Sequence, residues 1–319
     1  MTAAAASPWA DAPVDIRCEV RPPWPFRLGG GSADGLLRRR GASLQRWLHV
    51  EEEPVLVAAI QPAGDRVIFA ARSACPHAAA EGIDRLRFAT GVDDDLRPFH
   101  DRFRDDPIIG RAVRANPYLR VRRRCRPWEA LLAAVTEQLI EFERAVAIQR
   151  RLIARLGPRC PHSGLRDLPG PEVIAAQAPA WLASIDLAPK RAIALRRCAL
   201  EVAAGRIDLD AHDVRRLLAI SEIGAWTVEI LGLYGQGRMD VVPAGDLGFI
   251  KLVGRIRTGN PRARVEEPEA REFFEPYGEW RGLAGEYLRW AGARGLIPSR
   301  AHPARRAPGR AAAPAGTRW

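Results

Sequence analysis

The sequence predicts an α+β protein, with a small mixed α/β domain at the N-terminal end followed by a helical body in two lobes. Two strand-like runs, 54–60 and 66–70, flank the turn pair Gly64-Asp65 and indicate a β-hairpin. Further along the chain, apolar residues recur at helical spacing. The chain has 319 residues, of which 47% are hydrophobic, so it is long enough for more than one packed unit.

Composition divides the chain into four parts. Residues 1–14 are rich in Ala and Pro and are expected to be disordered, and residues 298–319 are expected to form a basic disordered tail. Between them we expect an α+β N-terminal domain at 15–117 and the helical body at 118–297. The other elements of the first domain are a strand at 16–20 and short helices at 96–103 and 108–115.

The charge balance points to a polyanionic partner. The formal net charge is +11, which favours nucleic acid or an anionic membrane surface without choosing between them. Almost all of the basic charge is arginine, since the lysines are Lys190 and Lys251 alone. No apolar run reaches the ~18 residues that a bilayer requires, and the first residues do not resemble a secretion signal. We therefore expect a cytoplasmic protein with no membrane partner.

The cysteines do not suggest a disulfide framework. There are five of them, an odd and dispersed set that favours reduced thiols. Two similar Cys-Pro-His tripeptides begin at Cys75 and Cys160, but their spacing matches no familiar zinc pattern. We interpret them as two loop turns, and we expect neither a metal site nor a cofactor.

The segment 217–255 has the pattern of a helix, a tight turn, a second helix, a loop and a third helix. Gly224 closes the turn and can adopt the positive φ that such a turn needs. The second helix then presents free N–H groups that can hold a phosphate, although an ordinary αα-hairpin has the same pattern. In the following loop, Asp246 precedes the third helix, where Asp is a preferred N-cap. An N-capping aspartate can also face a cleft.

These residues resemble the signature of the helix-hairpin-helix DNA glycosylases, and more closely that of the 3-methyladenine DNA glycosylase II branch. That family has a hairpin of the type L-P-G-I-G-x-W-T-A followed by a Pro-x-x-Asp loop. The matching residues here are Ile220, Ile223, Gly224, Trp226 and Thr227 in the hairpin, and Pro243 and Asp246 in the loop. The resemblance covers about residues 96–296 and places the helix-hairpin-helix motif at 214–233.

The resemblance implies a monofunctional DNA glycosylase that acts in base excision repair. Such an enzyme flips an alkylated purine, for example 3-methyladenine, out of double-stranded DNA and hydrolyses its N-glycosidic bond. Asp246 is the implied catalytic residue, since a carboxylate stabilises positive charge on the sugar and can orient or deprotonate water. Related lyases carry a lysine nucleophile where this chain has Trp226, so we expect no lyase activity. A monomer is expected.

The resemblance also implies a base pocket and a DNA-contacting surface. Aromatic rings attract a cationic base, and the candidates for the pocket are Trp226, Tyr234, Tyr277 and Trp280. The candidate DNA-contacting residues are Gln138, Leu139, Ile223, Gly224, Ala225, Thr227 and Lys251. Leu139 lies where the family has an apolar wedge, although a leucine on an apolar helix face is also typical of a core.

The hairpin departs from the family pattern at one place. The family's Pro-Gly pair is Ser221-Glu222 here, which removes the glycine best suited to a left-handed conformation and adds a negative charge where phosphate should approach. Two alternatives follow. One is a non-catalytic DNA-binding or damage-sensing protein on the same scaffold, and the other is a glycosylase for deaminated or oxidised bases.

Overall fold

The computed structural model describes residues 14–62 and 65–297. The basic tail expected at 298–319 therefore lies outside the described residues. So does the disordered segment expected at the N-terminus, apart from Val14, which begins the first strand.

The N-terminal part is an antiparallel sheet of five strands in the order β1-β5-β4-β3-β2. The strands are β1 (Val14–Val20), β2 (Leu37–Arg40), β3 (Ser43–Val50), β4 (Glu53–Ile60) and β5 (Val67–Ser73). Strands β4 and β5 pair antiparallel with Ile60 opposite Ile68, so the predicted hairpin is confirmed. The helix α1 (Pro76–Thr90) covers one face and buries Ile83 and Leu86 against the sheet.

Strands β2 and β3 and helix α1 were not predicted from the sequence. Strand β3 is buried on both faces, with Leu48 in the core under α1 and Trp47 in a smaller cluster on the other side. It therefore lacks the alternation that marks a half-buried strand.

The first Cys-Pro-His tripeptide is not a loop turn, because it begins a helix. Cys75 is the N-cap of α1 and Pro76 is its first residue. This position suits proline, since a backbone N–H there would have no partner within the helix.

The rest of the chain is helical. The helices are α2 (Arg97–Phe103), α3 (Gly110–Ala115), α4 (Pro127–Glu137), α5 (Phe142–Leu156), α6 (Pro171–Ala175), α7 (Pro179–Ser184), α8 (Pro189–Ala203), α9 (Arg215–Leu218), α10 (Ala225–Ile230), α11 (Leu247–Thr258), α12 (Glu267–Phe274) and α13 (Arg281–Ala293). A π-helical turn, Leu231–Gly235, extends α10, and a 3-10 turn, Glu275–Trp280, precedes α13.

Two separate apolar cores divide the helices into two lobes. The first lobe is built around α4, α5 and α8, and the hairpin residues Ile220 and Ile223 join its core. The second lobe is built around α11, α12 and α13. The α+β fold class with a two-lobed helical body is therefore confirmed.

The segment 96–115, which we assigned to the N-terminal domain, packs into the second lobe instead. Phe99 of α2 stacks on Tyr287 of α13 with ring centroids 5.3 Å apart, and Val113 of α3 lies in the same core. Helical amphipathicity shows that these short helices need a partner but does not identify the partner. Apart from this segment, the division of the chain into domains stays a prediction.

A buried ion cluster joins the sheet to the first lobe. The Arg46 guanidinium of β3 lies 2.8 Å from a Glu129 carboxylate oxygen of α4 and 2.6 Å from an Asp167 oxygen. Arg126 adds a second cation, 2.8 Å from Asp167. Burial alone would raise the pKa of the Asp167 carboxyl, but Arg46 and Arg126 hold that pKa well below its ordinary value of 3.8. The cluster therefore keeps its charges in the folded protein.

Two kinds of feature are absent from residues 14–62 and 65–297. No helix in these ranges is long and apolar enough to cross a bilayer. No three His, Cys, Asp or Glu side chains lie together in a way that could hold a metal ion.

Candidate active site

Asp246 caps α11 and faces a cleft at the same time. Its Oδ1 accepts a hydrogen bond of 2.8 Å from the Gly248 backbone N–H, as an N-cap does. Its Oδ2 lies 3.5 Å from Nη2 of Arg289, and the side chain is 25% exposed. The carboxylate is therefore neither sealed inside the core nor fully in solvent, which leaves Oδ2 accessible from the cleft.

The cleft beside Asp246 has a volume of about 730 Å³ and draws its walls from both lobes and from the sheet domain. Residues from helical elements on its wall include Glu137, Phe142, Trp226, Tyr234, Asp246 and Arg289. The loop before β2 supplies Asp34 and Leu36. This loop is attached to the first lobe, because Arg150 donates a hydrogen bond of 2.8 Å to the Ala33 carbonyl and Arg124 pairs with Asp34.

Two of the four aromatic residues expected in the pocket lie in this cleft, Trp226 and Tyr234. The π-helical turn carries Tyr234, and its hydroxyl donates a hydrogen bond of 2.6 Å to Glu286 of α13. Burial raises the pKa of Tyr234 well above 10, and the adjacent Glu286 carboxylate acts in the same direction. The phenol therefore stays neutral and presents an apolar ring.

The other two lie in the second lobe and outside the cleft lining: Tyr277 belongs to the core, and Trp280 is half-buried against it. The Tyr277 hydroxyl is 3.3 Å from Asp106, and its ring packs 5.3 Å from that of Phe103. Trp280 contacts Phe99 edge-on at 5.9 Å. Their assignment to the pocket is wrong because aromatic residues in a helical lobe mostly fill its core, and a sequence does not distinguish the two uses.

Arg289 is the main residue at this site that sequence analysis missed. Its guanidinium lies over the Phe249 ring at 4.3 Å, and its Nε and Nη2 atoms are buried without a hydrogen bond to the described residues. Burial alone would lower the pKa of Arg289, but Tyr234, Asp246 and other acidic groups raise it, so the side chain is a permanent cation. No motif marks Arg289 itself, so only the fold brings it to Asp246.

The turn of the hairpin differs from our expectation. Gly224 has φ −115° and ψ −175°, an extended conformation, and Glu222 adopts the left-handed conformation with φ +72°. The strained position is thus where the family pattern has glycine. Gly224 and Ala225 are exposed, whereas Ile223 and Thr227 are buried. Any ligand at this turn would therefore contact the backbone of Gly224 and Ala225 and not the side chains of Ile223 and Thr227.

The end of α4 is fastened to the hairpin through Gln138. Its side-chain amide donates to the Glu222 carbonyl at 2.8 Å and to Oγ1 of Thr227 at 2.9 Å. The next residue, Leu139, has φ +53° and is 98% exposed. Leu139 is therefore not part of the core. Lys251 is exposed on α11 and lies outside the cleft lining.

A helix-hairpin-helix motif beside a cleft with a capping aspartate defines the class: the chain has the fold of the helix-hairpin-helix DNA glycosylases. No family model matches the sequence. It is 26% identical over 206 residues to a DNA-3-methyladenine glycosylase of Bacillus subtilis, an alignment that covers 62% of this chain and 67% of the relative. It is 28% identical over 212 residues to a probable bifunctional transcriptional activator/DNA repair enzyme AlkA of Mycobacterium tuberculosis, covering 64% of this chain and 41% of that protein.

Solved structures show the same architecture. A 3-methyladenine DNA-glycosylase from Archaeoglobus fulgidus superposes with a TM-score of 0.73 at 20% identity, covering 88% of this chain and 98% of that one. An 8-oxoguanine glycosylase/lyase of Clostridium acetobutylicum superposes with a TM-score of 0.62 at 14% identity, covering 82% and 98%. These structures confirm the fold of the superfamily, and the two sequence relatives confirm the resemblance to its 3-methyladenine branch.

Proposed function

We propose that this protein is a monofunctional DNA glycosylase that removes alkylated purines, such as 3-methyladenine, from double-stranded DNA in base excision repair. One observation carries the proposal: the Asp246 carboxylate lies on the wall of a cleft that also contains the rings of Trp226 and Tyr234. The similarity to the Bacillus subtilis 3-methyladenine enzyme supports the substrate class.

In the proposed reaction, a damaged base leaves the duplex and enters the cleft. Alkylation at purine N3 or N7 makes the base cationic, so it is attracted to the faces of the aromatic rings and is already a good leaving group. As the glycosidic bond breaks, positive charge develops on the sugar. Oδ2 of Asp246 stabilises this charge and orients the attacking water, while the Gly248 N–H holds Oδ1 in place.

The absence of lyase activity is also a proposal, supported by the position of the lysines. Lyase chemistry needs a lysine amine that attacks the sugar to form a Schiff base. Lys190 and Lys251 both lie outside the cleft lining, and Trp226 stands where lyases carry their lysine. The product should therefore be an intact strand with an abasic site.

We propose that the duplex, bound by a monomer of this cytoplasmic protein, lies across the hairpin and the end of α4. The exposed backbone at Gly224 and Ala225 can approach a phosphate, and a Cβ built on Gly224 would meet nothing within 4 Å. Leu139 fills the space that the flipped base leaves. Lys251 is a further phosphate contact, and the net charge of +11 supports binding to a polyanion.

Substitution of Asp246 tests the proposal. Asp246→Asn should lower the release of methylated purines from alkylated duplex DNA by about a hundredfold or more, because the amide cannot stabilise the developing charge. Affinity for undamaged duplex should stay within about twofold. Asp240→Asn is the matched control, since Asp240 is an exposed carboxylate of the same loop that pairs with Arg238.

Other outcomes separate the alternatives. Equal release by wild type and Asp246→Asn contradicts the role of Asp246. Duplex binding by the wild type with no release of any base favours the damage-sensing protein, and release of hypoxanthine or an oxidised base alone favours the other glycosylase specificity. Strand breaks without alkali treatment contradict the monofunctional assignment.

A further inference from the structure

The cleft also contains the carboxyl group of Glu137, which the reaction described above does not use. Glu137 is the last residue of α4, directly before Gln138 and the exposed Leu139. It lines the cleft together with Trp226, Tyr234 and Asp246. A carboxyl group on the wall of a base-binding cleft is costly to keep there, because burial disfavours its charged form.

A hydrogen bond fixes one carboxylate oxygen of Glu137, and the other oxygen is free to accept a further bond. Its Oε1 accepts a hydrogen bond of 3.1 Å from the Gln149 amide, which also donates to Oγ1 of Thr136 at 3.0 Å. Its Oε2 has no hydrogen-bond partner among residues 14–62 and 65–297. The carboxyl group is thus oriented by Gln149 and retains one unused acceptor.

The charges around Glu137 act in both directions. Burial raises the pKa of Glu137 above its ordinary value of 4.5, and Asp34 acts the same way. The Gln149 hydrogen bond and the cations Arg124 and Arg289 oppose this effect. A positive charge that enters the cleft would act on this carboxyl group in the same direction as Arg124 and Arg289 and would favour its ionised form.

We propose that Glu137 is a specificity-determining residue that makes the cleft favour cationic alkylated bases over neutral damaged bases. The inference rests on the proposed function and names the residue that sets its selectivity. A base methylated at N3 or N7 carries a positive charge, which a carboxylate stabilises strongly in a cleft from which water is largely displaced. A neutral base gains no such charge interaction. Aromatic stacking on Trp226 and Tyr234 is available to both kinds of base, so it discriminates less.

The test compares two duplex substrates of the same sequence, one with 7-methylguanine and one with hypoxanthine. We expect Glu137→Gln to lower the second-order rate constant for release of 7-methylguanine, measured in single turnover with enzyme below saturation, by at least about tenfold, because the carboxylate acts on the charge of the base that enters the cleft. The rate constant for hypoxanthine should change by less than about threefold. The amide keeps the shape of the side chain and can still accept the Gln149 hydrogen bond, so we expect the variant to fold. A general loss of structure would instead lower the rate constants for both bases together.

Two further variants sharpen the comparison. Glu143→Gln is the matched control, because Glu143 is an exposed carboxylate near the start of α5 and outside the cleft lining, so the overall change in charge is the same. It should leave the ratio of the two rates unchanged. Glu137→Asp retains the charge but sets it back by one methylene, so its ratio should lie between those of wild type and Glu137→Gln. If Glu137→Gln does not fold, this variant carries the test.

The outcomes distinguish this inference from the proposed function. A wild-type protein that releases neither base contradicts the proposed function and this inference with it. A wild type that releases 7-methylguanine, combined with a rate ratio that Glu137→Gln and Glu137→Asp both leave unchanged, overturns the role of Glu137 alone.

Discussion

At the scale of single residues, Leu139 combines two properties that neither folding nor solubility favours. A leucine side chain that is 98% exposed contributes nothing to a core, and its φ of +53° costs free energy in any residue other than glycine. Strained residues of this kind are concentrated at functional sites. The conformation is maintained because the preceding Gln138 is fixed to the hairpin.

We expect Leu139→Ala to lower base release from duplex DNA on the order of tenfold, because the smaller side chain does not fill the gap left by a flipped base. The midpoint of thermal unfolding should hardly change, since no buried contact is lost. Leu200→Ala, at an exposed position of α8, is the control. Release from single-stranded DNA should be less affected, and an equal loss on both substrates would contradict the wedge role.

Sequence analysis singled out Asp246, Trp226 and Tyr234, which line the cleft, but it missed the charged residues Arg289 and Glu137. Asp246 could be predicted because it occupies a helix-capping position and ends a Pro-x-x-Asp motif. Arg289 and Glu137 belong to helices whose local patterns are ordinary, and they reach the cleft only because α13 and α4 pack on either side of it. Long-range packing of this kind leaves no local signal.

At the scale of elements, the hairpin carries a residue that works against its proposed role. Glu222 adopts φ +72° and is exposed, so it combines backbone strain with a negative charge beside Gly224. Arg191 lies close enough to Glu222 for their charges to interact. The hairpin therefore retains its shape without the glycine of the family pattern, at a cost in strain.

Glu222→Gly should raise stability by about 1 kcal/mol, because glycine adopts a positive φ without strain. It should also tighten binding to undamaged duplex, since a negative charge is removed from the turn that we propose to face phosphate. Glu222→Gln separates the effects, with a gain in affinity and none in stability. Chemical unfolding and a duplex titration at fixed salt measure both quantities. Unchanged affinity in both variants would mean that phosphate does not approach this turn.

Prediction of elements succeeded for the hairpin of β4 and β5 and failed for β2, β3 and α1. The hairpin of β4 and β5 was found from its two strand-like runs and the turn residues between them, whereas β3 is buried on both faces and gave no such pattern. The short helices α2 and α3 were found, but their partner was not, because an amphipathic pattern does not specify which apolar surface covers it.

At the scale of the whole molecule, the buried cluster of Arg46, Glu129 and Asp167 determines how firmly the sheet is attached. Asp167→Ala should lower the free energy of unfolding by about 3–5 kcal/mol, because the buried Arg46 and its neighbour Arg126 are then left with Glu129 as their shared carboxylate. Asp15→Ala is the control: its partner Arg72 is 52% exposed, and such pairs contribute about 0–1 kcal/mol. Urea unfolding of both variants measures the difference.

The same cluster predicts a dependence on pH. Since the pKa of Asp167 is lower in the folded protein than its ordinary value of 3.8, its contribution to stability is complete well above pH 4. That contribution declines as the pH falls below about 4, where the unfolded chain takes up the proton more readily. Asp167→Ala should lack this part of the acid dependence, and an unchanged profile in the variant would contradict the assignment.

The loop that carries Asp34 and Leu36 forms part of the cleft wall, so the sheet domain contributes to the site where we propose that a base binds. Selectivity is then a joint property of two parts of the polypeptide that lie far apart in sequence. Relatives that differ in this loop would present a differently shaped opposite wall to the same aspartate. Exchanging the front third between two such proteins would transfer part of the lesion preference while leaving the hydrolytic machinery untouched.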